Sequence, residues 1–540
     1  MSPEELAHAA ALGHLPAEPP AQRHLSWRRV IALCVAVLVV AGAVAAVARH
    51  TSEAGTEAKS ASSFLPYVDV TATPQLAFED SGTTKAAEVA LGFIVGSSSG
   101  GCTPSWGNAY SVAEAGASLD LDRRIARLRQ LGGDVVVSFG GAANSELAVS
   151  CSDVDQLADA YGSVVQRYDL TSIDLDIEGA AASAEAIDVR RALAIRTLQL
   201  RRAAQGDPLG VWLTLPVAPT GLTSSGIASV QAMLQAGVAL TGVNALTMDY
   251  GQELGAGQTM ADLAVHSLTA LHTQLISQYH EHGVSLSDQA AWQHVGATAM
   301  IGQNDTVNER FELTDAKALV AFARLHQLRR ISMWSLNRDQ SCGPNYANPE
   351  VVSDLCSGVS QTSAAFATLF APFSVSGTGG SSPTEGGTTI GTSPEPSPSG
   401  SSSTPLAAGG DDPKTSPYSI WNPDVPYPAE TKVVWHRNVY QAKWYSEGDT
   451  PDAPVATQGD TPWTLIGPVL PGEHPAPTPT FSAGAYPDWS PTKAYASGQR
   501  ILFHGVGFQA RWWTKGDTPG ALTVATGAPS PWQLITPPTR

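Results

Sequence analysis

The residues whose types and spacing best suit catalysis lie in residues 170–179, which read LTSIDLDIEG. Apolar and acidic residues alternate here, and the acidic ones are Asp174, Asp176 and Glu178. Alternation with a period of two is typical of a β-strand and places all three carboxylates on one face. Carboxylates stacked in this way repel each other and resist burial. A fold tolerates that cost most readily where the acids do chemistry or bind a cation; the alternative is a solvated edge strand.

The spacing of the last two acids favours general acid catalysis. Residues two positions apart on a strand lie roughly 6 to 7 Å apart at their backbones, which is close enough to couple their titrations. With Asp176 ionised, Glu178 should hold its proton more tightly, as a general acid near neutral pH must. A glycosidic oxygen is the natural leaving group for such an acid.

The elements around the acidic strand alternate between strand and helix. We predict strands at residues 89–95, 134–139, 170–178, 211–217, 243–250, 295–301 and 331–336, and a short one near 106–112. Eight such units in roughly 290 residues are typical of an α/β fold of the (β/α)8 TIM-barrel class. A doubly wound sheet is the alternative. We consider it less suitable because polar and aromatic residues collect at the carboxyl ends of several strands, which in a barrel meet on one face.

Composition divides the chain further. At 540 residues it is long enough for two to four domains, and its net charge of −18 argues against nucleic acid as a partner. We predict a cytoplasmic segment (1–29), a transmembrane or signal segment (30–48), a spacer (49–84), the TIM barrel (85–373), a Gly/Ser/Thr/Pro linker (374–416) and two small all-β modules (417–468 and 485–540).

The apolar run from Val30 to Ala48 predicts export, because arginines precede it and should stay in the cytoplasm. It suits either an uncleaved single-pass anchor or a cleaved signal. The catalytic part is therefore expected outside the cell.

Extracellular cysteines usually pair, and four follow the apolar run. Four cysteines allow three pairings. Closeness in sequence favours Cys342–Cys356, which leaves Cys102–Cys151. We expect no metal cluster, since no CxxC and no histidine at ligand spacing lies nearby.

An internal repeat follows the linker. Residues 421–451 align without gaps on residues 489–519, and each copy later ends in Pro-Trp. Such Trp-rich units suit the display of aromatics that stack on sugar rings. Because neighbouring strand residues face opposite ways, we expect one member of each of two adjacent aromatic pairs to be core and the other to be exposed. The pairs are Trp444–Tyr445 and Trp512–Trp513. Trp421, Trp463, Trp489 and Trp532 are the better core candidates.

These motifs together resemble those of a known family. Residues 171–178 resemble the DxxDxDxE signature of the family 18 glycoside hydrolases, the chitinases. The run Ser138-Phe139-Gly140-Gly141 is similar to the SxGG strand of that family, Met248-Asp249-Tyr250 to its Met-x-Tyr strand, and Trp334 to its final-strand tryptophan. The repeats resemble chitin-binding modules of the family 5/12 type.

The resemblance implies a role for each matched residue. Glu178 would donate the proton, Asp176 would orient the N-acetyl group and stabilise an oxazolinium-type intermediate, and Asp174 would tune Asp176. Tyr250 would hydrogen-bond the acetamido oxygen, and Trp334 would form the floor of the site. The substrate then supplies its own nucleophile, and no cofactor is required.

Two positions depart from the family pattern, since Thr171 replaces the first aspartate of the signature and Gly251 follows Tyr250. Met248 and Asp249 belong to the candidate substrate site, although the role of Asp249 is not transferable. Polar residues after the last two strands either bind sugar hydroxyls or serve the loops and caps; they are Gln303, Asn304, Asp305, Asn337 and Asp339.

The resulting expectation is a monomeric chitinase (EC 3.2.1.14) that binds chitin and N-acetylglucosamine oligomers. Three alternatives stay open: an endo-N-acetylglucosaminidase acting on peptidoglycan or N-glycans, a non-catalytic chitin-binding protein, and a metal site at the three acids.

Overall fold

The computed structural model describes residues 63–80, 84–182, 184–251, 254–346, 348, 350–373, 410–455, 458–475, 481–519 and 531–535. The predicted export segment, residues 30–48, lies outside this range, as do the cytoplasmic segment and most of the linker. Over the part of the chain that is described, no helix is both long enough and apolar enough to cross a bilayer.

One large sheet carries the acidic strand. Its strands and the short hairpins beside it are β1 Ser63–Phe64, β2 Tyr67–Asp69, β3 Glu88–Gly96, β4 Pro104–Trp106, β5 Tyr110–Ser111, β6 Asp134–Gly140, β7 Ser172–Asp176, β8 Gly210–Ala218, β9 Gly221–Leu222, β10 Gly242–Leu246, β11 Val295–Met300, β12 Gly302–Gln303, β13 Arg310–Phe311 and β14 Arg330–Trp334. The parallel strands follow the order β14-β11-β10-β8-β7-β6-β3.

Helices connect these strands, as the alternation predicts. They are α1 Val112–Ser118, α2 Leu121–Gln130, α3 Leu147–Ser150, α4 Val154–Arg167, α5 Glu185–Ala204, α6 Ser224–Gln235, α7 Met260–Glu281, α8 Asp288–Trp292, α9 Leu313–His326 and α10 Ala365–Phe370. Ile173, Leu175 and Ile177 are fully buried and join the apolar cluster that these helices share with the sheet. The acidic residues of β7 therefore lie on the face of the sheet that points away from these helices. There Asp174 contacts side chains from other strands of the sheet.

The spacer prediction is wrong for residues 63–69, which lie in the sheet. β1 pairs in parallel with the last strand β14, while β2, only two residues further on, pairs in parallel with β3. Pro66 interrupts this segment, which is too short to show a clear alternation. Its apolar residues are nevertheless buried between the two strands they join.

The predicted short strand near residues 106–112 is not a βα unit. β4 and β5 form an antiparallel hairpin on the end of β3. The segment 63–69 supplies a parallel strand before β3 instead. In chain order the parallel strands are therefore this segment, β3, β6 and β7, so β7 is still the fourth.

The first copy of the repeat folds into one three-stranded antiparallel sheet, and the second copy into a three-stranded sheet and a two-stranded sheet, both antiparallel. The first contains β15 Lys432–Trp435, β16 Asn438–Ala442 and β17 Trp463–Pro468; the second contains β18 Ala494–Tyr495, β19 Arg500–Phe503, β20 Val506–Ala510, β21 Thr514–Lys515 and β22 Trp532–Leu534. In the second copy, β19, β20 and β22 form the three-stranded sheet, and β18 and β21 form the two-stranded one. In both copies the final tryptophan donates its indole N–H to a backbone carbonyl at 2.8 Å, that of Asp449 or of Asp517. Three of the four tryptophans expected in the core are buried, and Trp489 is half-buried.

Both expected disulfides are present, Cys102–Cys151 and Cys342–Cys356. The first connects the loop after β3 to the end of α3, and the second closes a loop after β14.

Candidate active site

Asp174 is fully buried, and four side chains donate hydrogen bonds to it. Its Oδ2 accepts from the Tyr67 hydroxyl at 2.8 Å and from Ser138 at 2.7 Å. Its Oδ1 accepts from Thr214 at 2.6 Å and from the Arg330 guanidinium at 2.9 Å. A carboxylate held from both oxygens cannot rotate, so Asp174 is a fixed charge beneath the rest of the site.

Asp176 is also buried, but among the described residues its carboxylate does not have hydrogen-bond donors at both oxygens as that of Asp174 does. Its Oδ1 accepts no hydrogen bond from any described residue. Burial raises the pKa of Asp176 well above its ordinary value, and the nearby charges of Glu178 and Asp174 raise it further. An unpaired buried acceptor is costly unless a ligand completes it, so Asp176 is suited to receive a donor from a bound molecule.

Glu178 stands just beyond the carboxyl end of β7 and is half-buried. Burial raises its pKa to about 7, and the charges of Asp249 and Asp305 add to the shift. The physical cause therefore differs from the sequence expectation, which named Asp176 as the source. The consequence is the same, since a carboxyl group with a pKa near 7 can donate a proton at neutral pH.

The loop after β10 holds Asp249 and Tyr250 in different surroundings. Asp249 has a left-handed backbone (φ 49°), and its Oδ1 accepts from the Thr306 N–H at 2.8 Å. Tyr250 is largely buried and its hydroxyl accepts from Ser267 of α7 at 3.3 Å. The hydroxyl that the resemblance directs at an acetamido group is therefore bonded to a helix, whereas Asp249 acts electrostatically on Glu178.

The aromatic candidate at the last strand has a suitable environment. Trp334 is half-buried and stacks on Phe93, with ring centroids 5.3 Å apart and planes at 26°. The ring centroid of Tyr67 lies 6.2 Å from that of Trp334. Met248 is half-buried as well. Trp334 thus presents part of an indole ring that its neighbours hold in place, which is suitable for a sugar ring to lie on.

Most of the polar loop candidates already have protein partners. The Gln303 amide is buried and donates to the carbonyls of Asn304 and Glu309. Asn337 bonds to the backbone of Asp69, and Asp339 accepts from the N–H groups of Phe366 and Ala367. These contacts assign the residues to loop and helix capping. Asp305 differs, because its charge reaches Glu178.

Several residues that support the acids were missed by sequence reasoning. Asn244 donates to Thr214 at 3.0 Å and to Thr298 at 2.7 Å, and it lies with Tyr67 and Arg330 inside the sheet. Arg330 also packs over the rings of Tyr67 and Trp212. One sequence feature could have revealed these residues. Strands that are otherwise apolar each contain a polar residue, such as Thr214, Asn244 or Arg330, and this pattern indicates a polar network inside the sheet.

A metal site at the acids has no geometric support within the described residues. They contain no group of three or more His, Cys, Asp and Glu side chains arranged to hold an ion.

The aromatic pairs of the repeats are exposed in both members, so the expectation of one core and one free residue is wrong. Trp444 and Tyr445 are 46% and 59% exposed, and Trp512 and Trp513 are 42% and 64% exposed. Both pairs follow the end of a strand and lie outside any strand, so the alternation of a strand does not apply to them. Each copy therefore displays two neighbouring rings.

The raised pKa of Glu178 predicts a pH-dependent effect on stability. The unfolded carboxyl has an ordinary value of 4.5 and the folded one a value of about 7. The stabilisation from protonated Glu178 is thus complete below pH 4.5 and is lost as the pH rises through 7. We expect Glu178→Gln to be more stable than the wild type by about 1–3 kcal/mol at pH 8, and by much less at pH 4. Calorimetric unfolding of both proteins at the two pH values measures this; an equal difference at both would contradict it.

Comparison with known proteins finds similarity in two parts of the chain. The family model of carbohydrate-binding module family 5/12 matches residues 488–533. The chain is 34% identical over 319 residues to a probable bifunctional chitinase/lysozyme of Escherichia coli, covering 57% of this chain and 34% of that protein. It is 36% identical over 222 residues to endochitinase 11 of Metarhizium anisopliae, covering 40% and 42% respectively. A solved structure of active domain 2 of the chitinase from Pyrococcus furiosus shares 30% identity, with a TM-score of 0.49 over 57% of this chain and 94% of that one.

Part of the chain is therefore similar to proteins that are named as chitinases, and residues 488–533, within the second repeat, match a carbohydrate-binding module of family 5/12. The chain spans between a third and a half of the length of the curated relatives that it matches.

Proposed function

We propose that the protein is a chitinase that hydrolyses the β-1,4 linkages between N-acetylglucosamine units. The observation that carries the proposal is the set of three acids on β7 and just beyond its carboxyl end, each in a different environment. Asp174 is fixed by four donors, Asp176 offers a buried acceptor without a partner, and the pKa of Glu178 is raised to about 7.

Each acid has a step that suits its environment. Protonated Glu178 donates its proton to the glycosidic oxygen as the bond to the sugar breaks. The acetamido oxygen of the same sugar attacks the anomeric carbon and forms an oxazolinium ion. Asp176 accepts the acetamido N–H through its free Oδ1, and the positive charge that develops on the sugar favours the ionised form of Asp176, which stabilises that charge. Glu178, now ionised, takes a proton from a water molecule that attacks the anomeric carbon and opens the oxazolinium ring. Because the anomeric carbon is inverted twice, the product retains its configuration.

The rest of the architecture completes the proposal. The segment 63–69 pairs with both the first and the last parallel strands of the series, which supports an eight-stranded barrel closed through this segment. The matching strands and exposed rings of the two repeats support a second chitin-binding module at residues 417–468. Export through residues 30–48 and action outside the cell stay predictions.

A second candidate is cleavage of peptidoglycan, because the Escherichia coli relative is named for both chitinase and lysozyme activities. Peptidoglycan also contains N-acetylated sugars that can supply the acetamido nucleophile. The modules favour chitin, since their family is carbohydrate-binding and their paired rings suit a flat polymer surface.

Comparison of three substrates tests the proposal. Purified protein is incubated with chitin, with peptidoglycan and with an N-glycoprotein, each in the presence and absence of a chelator. We expect oligomers of N-acetylglucosamine from chitin at the highest rate, unchanged by the chelator. Release from peptidoglycan or the N-glycan alone would reject the chitinase proposal in favour of the corresponding alternative.

A further inference from the structure

The first repeat contacts the catalytic region through a group of charged side chains. Arg123 of α2 donates to both carboxylate oxygens of Glu473, at 3.0 and 2.5 Å, and to the Pro468 carbonyl. The Nζ atom of Lys432, in β15, lies 2.5 Å from Oδ2 of Asp120, the residue before α2. The side chains of Arg123 and Asp120 are only 5% and 11% exposed. Charge pairs this well covered are screened less by salt than surface pairs are.

The backbones also approach closely at this contact. A Cβ atom on Gly467 of β17 would lie 2.7 Å from the Arg123 carbonyl oxygen and 3.1 Å from the Arg127 Cβ. Only glycine permits β17 to lie this close to α2.

The second repeat differs from the first at these positions. Residues 463–468 read WTLIGP and residues 532–537 read WQLITP, so Thr536 occupies the position of Gly467. Arg500 occupies the position of Lys432, and it donates to Gln509 and Tyr486 within its own module. The two copies thus share the exposed aromatic pair but not the contact residues.

The contact lies at the same end of the sheet as the acids. A helix in a parallel βα unit runs antiparallel to its strands, so the first turn of α2 lies near the carboxyl ends of the strands. Asp120 and Arg123 belong to that turn, and Gly140 at the carboxyl end of β6 pairs with Asp176.

We propose that the first module is docked on α2 as a fixed part of the catalytic body, whereas the second module, which lacks these contact residues, binds the polymer without docking there. The first module would then hold a chain of N-acetylglucosamine at a constant distance from β7. This inference rests on the proposed function for the identity of the polymer, but the docking itself does not.

Zero-length cross-linking with a carbodiimide tests the docking in the full chain. The reagent joins an amine to a carboxylate that it already contacts, so wild type should give a Lys432–Asp120 cross-link that mass spectrometry detects. Gly467→Thr, which copies the residue of the second module, should reduce its yield at least about tenfold. Arg500→Glu, at the position in the second module equivalent to Lys432, serves as the control and should leave it unchanged. Absence of the cross-link in wild type would overturn the docking, whatever the activity.

The functional part is tested by rates on two substrates. We expect Gly467→Thr to slow hydrolysis of crystalline chitin about five- to tenfold, because the local polymer concentration falls. The rate on soluble N-acetylglucosamine oligomers should stay within twofold of wild type. Unchanged action on crystalline chitin, with the cross-link lost, would overturn the role of docking. A wild type that forms the cross-link but hydrolyses neither substrate would instead overturn the proposed function.

Discussion

Replacing Glu178 by glutamine should reduce hydrolysis of N-acetylglucosamine oligomers by about 10²–10⁴-fold, the usual contribution of a general acid. The amide keeps the size of the side chain but has no proton to give at neutral pH. Asp176 and Asp174 remain in place in this variant, so substrate should still bind. The measurement is kcat and KM on a soluble oligomer, and we expect the loss to fall on kcat while KM changes little.

A matched control lies seven residues further along the chain. Glu185 is exposed in the first turn of α5. Glu185→Gln removes one carboxylate from the same region and should leave kcat unchanged. If both variants lost activity equally, the effect would come from the net charge of the region, and Glu178 would have no special role.

Removal of the four exposed rings should have the second largest effect. The variant changes Trp444, Tyr445, Trp512 and Trp513 to alanine. Two modules on one chain gain avidity for a polymer, so binding to crystalline chitin should weaken by about 10²–10⁴-fold. The rings do not support the module cores, and the variant should therefore stay folded.

Pull-down on crystalline chitin measures this effect, and hydrolysis of a soluble oligomer is its control. We expect soluble activity to stay within twofold of wild type, because the acids of β7 do not contact these rings. Equal losses on soluble and crystalline substrates would contradict the assignment of the rings to polymer binding. Changing each pair separately would then show whether the first and the second copy contribute differently.

The acidic strand could be predicted from sequence because its signal is local. Alternation across residues 173–178 predicts a strand with one acidic face. The structure confirms it, because Ile173 and Leu175 join the apolar cluster while Asp174 between them accepts hydrogen bonds from polar side chains. The ranking of Asp174 below Asp176 follows from position along that strand.

The surroundings of the acids were not predictable in the same way. Tyr67 comes from a segment of seven residues whose pairing partners are far apart in sequence, so no periodic pattern marks it. Arg330 is a single charged residue in an apolar strand, and its contact with Asp174 depends on the order of the strands. Burial raises the pKa of Glu178, and the charges of Asp249 and Asp305, which the fold brings close from two other loops, raise it further.

The exposed rings show a different limit of sequence reasoning. The alternation rule holds only while the chain stays in a strand, and β16 ends at Ala442, two residues before Trp444. Element boundaries are harder to read than element types, and here one boundary decides whether a ring is core or surface.

The most direct test is a product profile from a chitin hexamer with wild type and Glu178→Gln side by side. Mass spectrometry follows the hexamer and its products over time at neutral pH. We expect wild type to convert the hexamer to shorter N-acetylglucosamine oligomers, and the variant to bind it but release none over the same period. Identical product profiles from the two proteins would contradict the role of Glu178, and with it the account of the acidic strand as the catalytic centre.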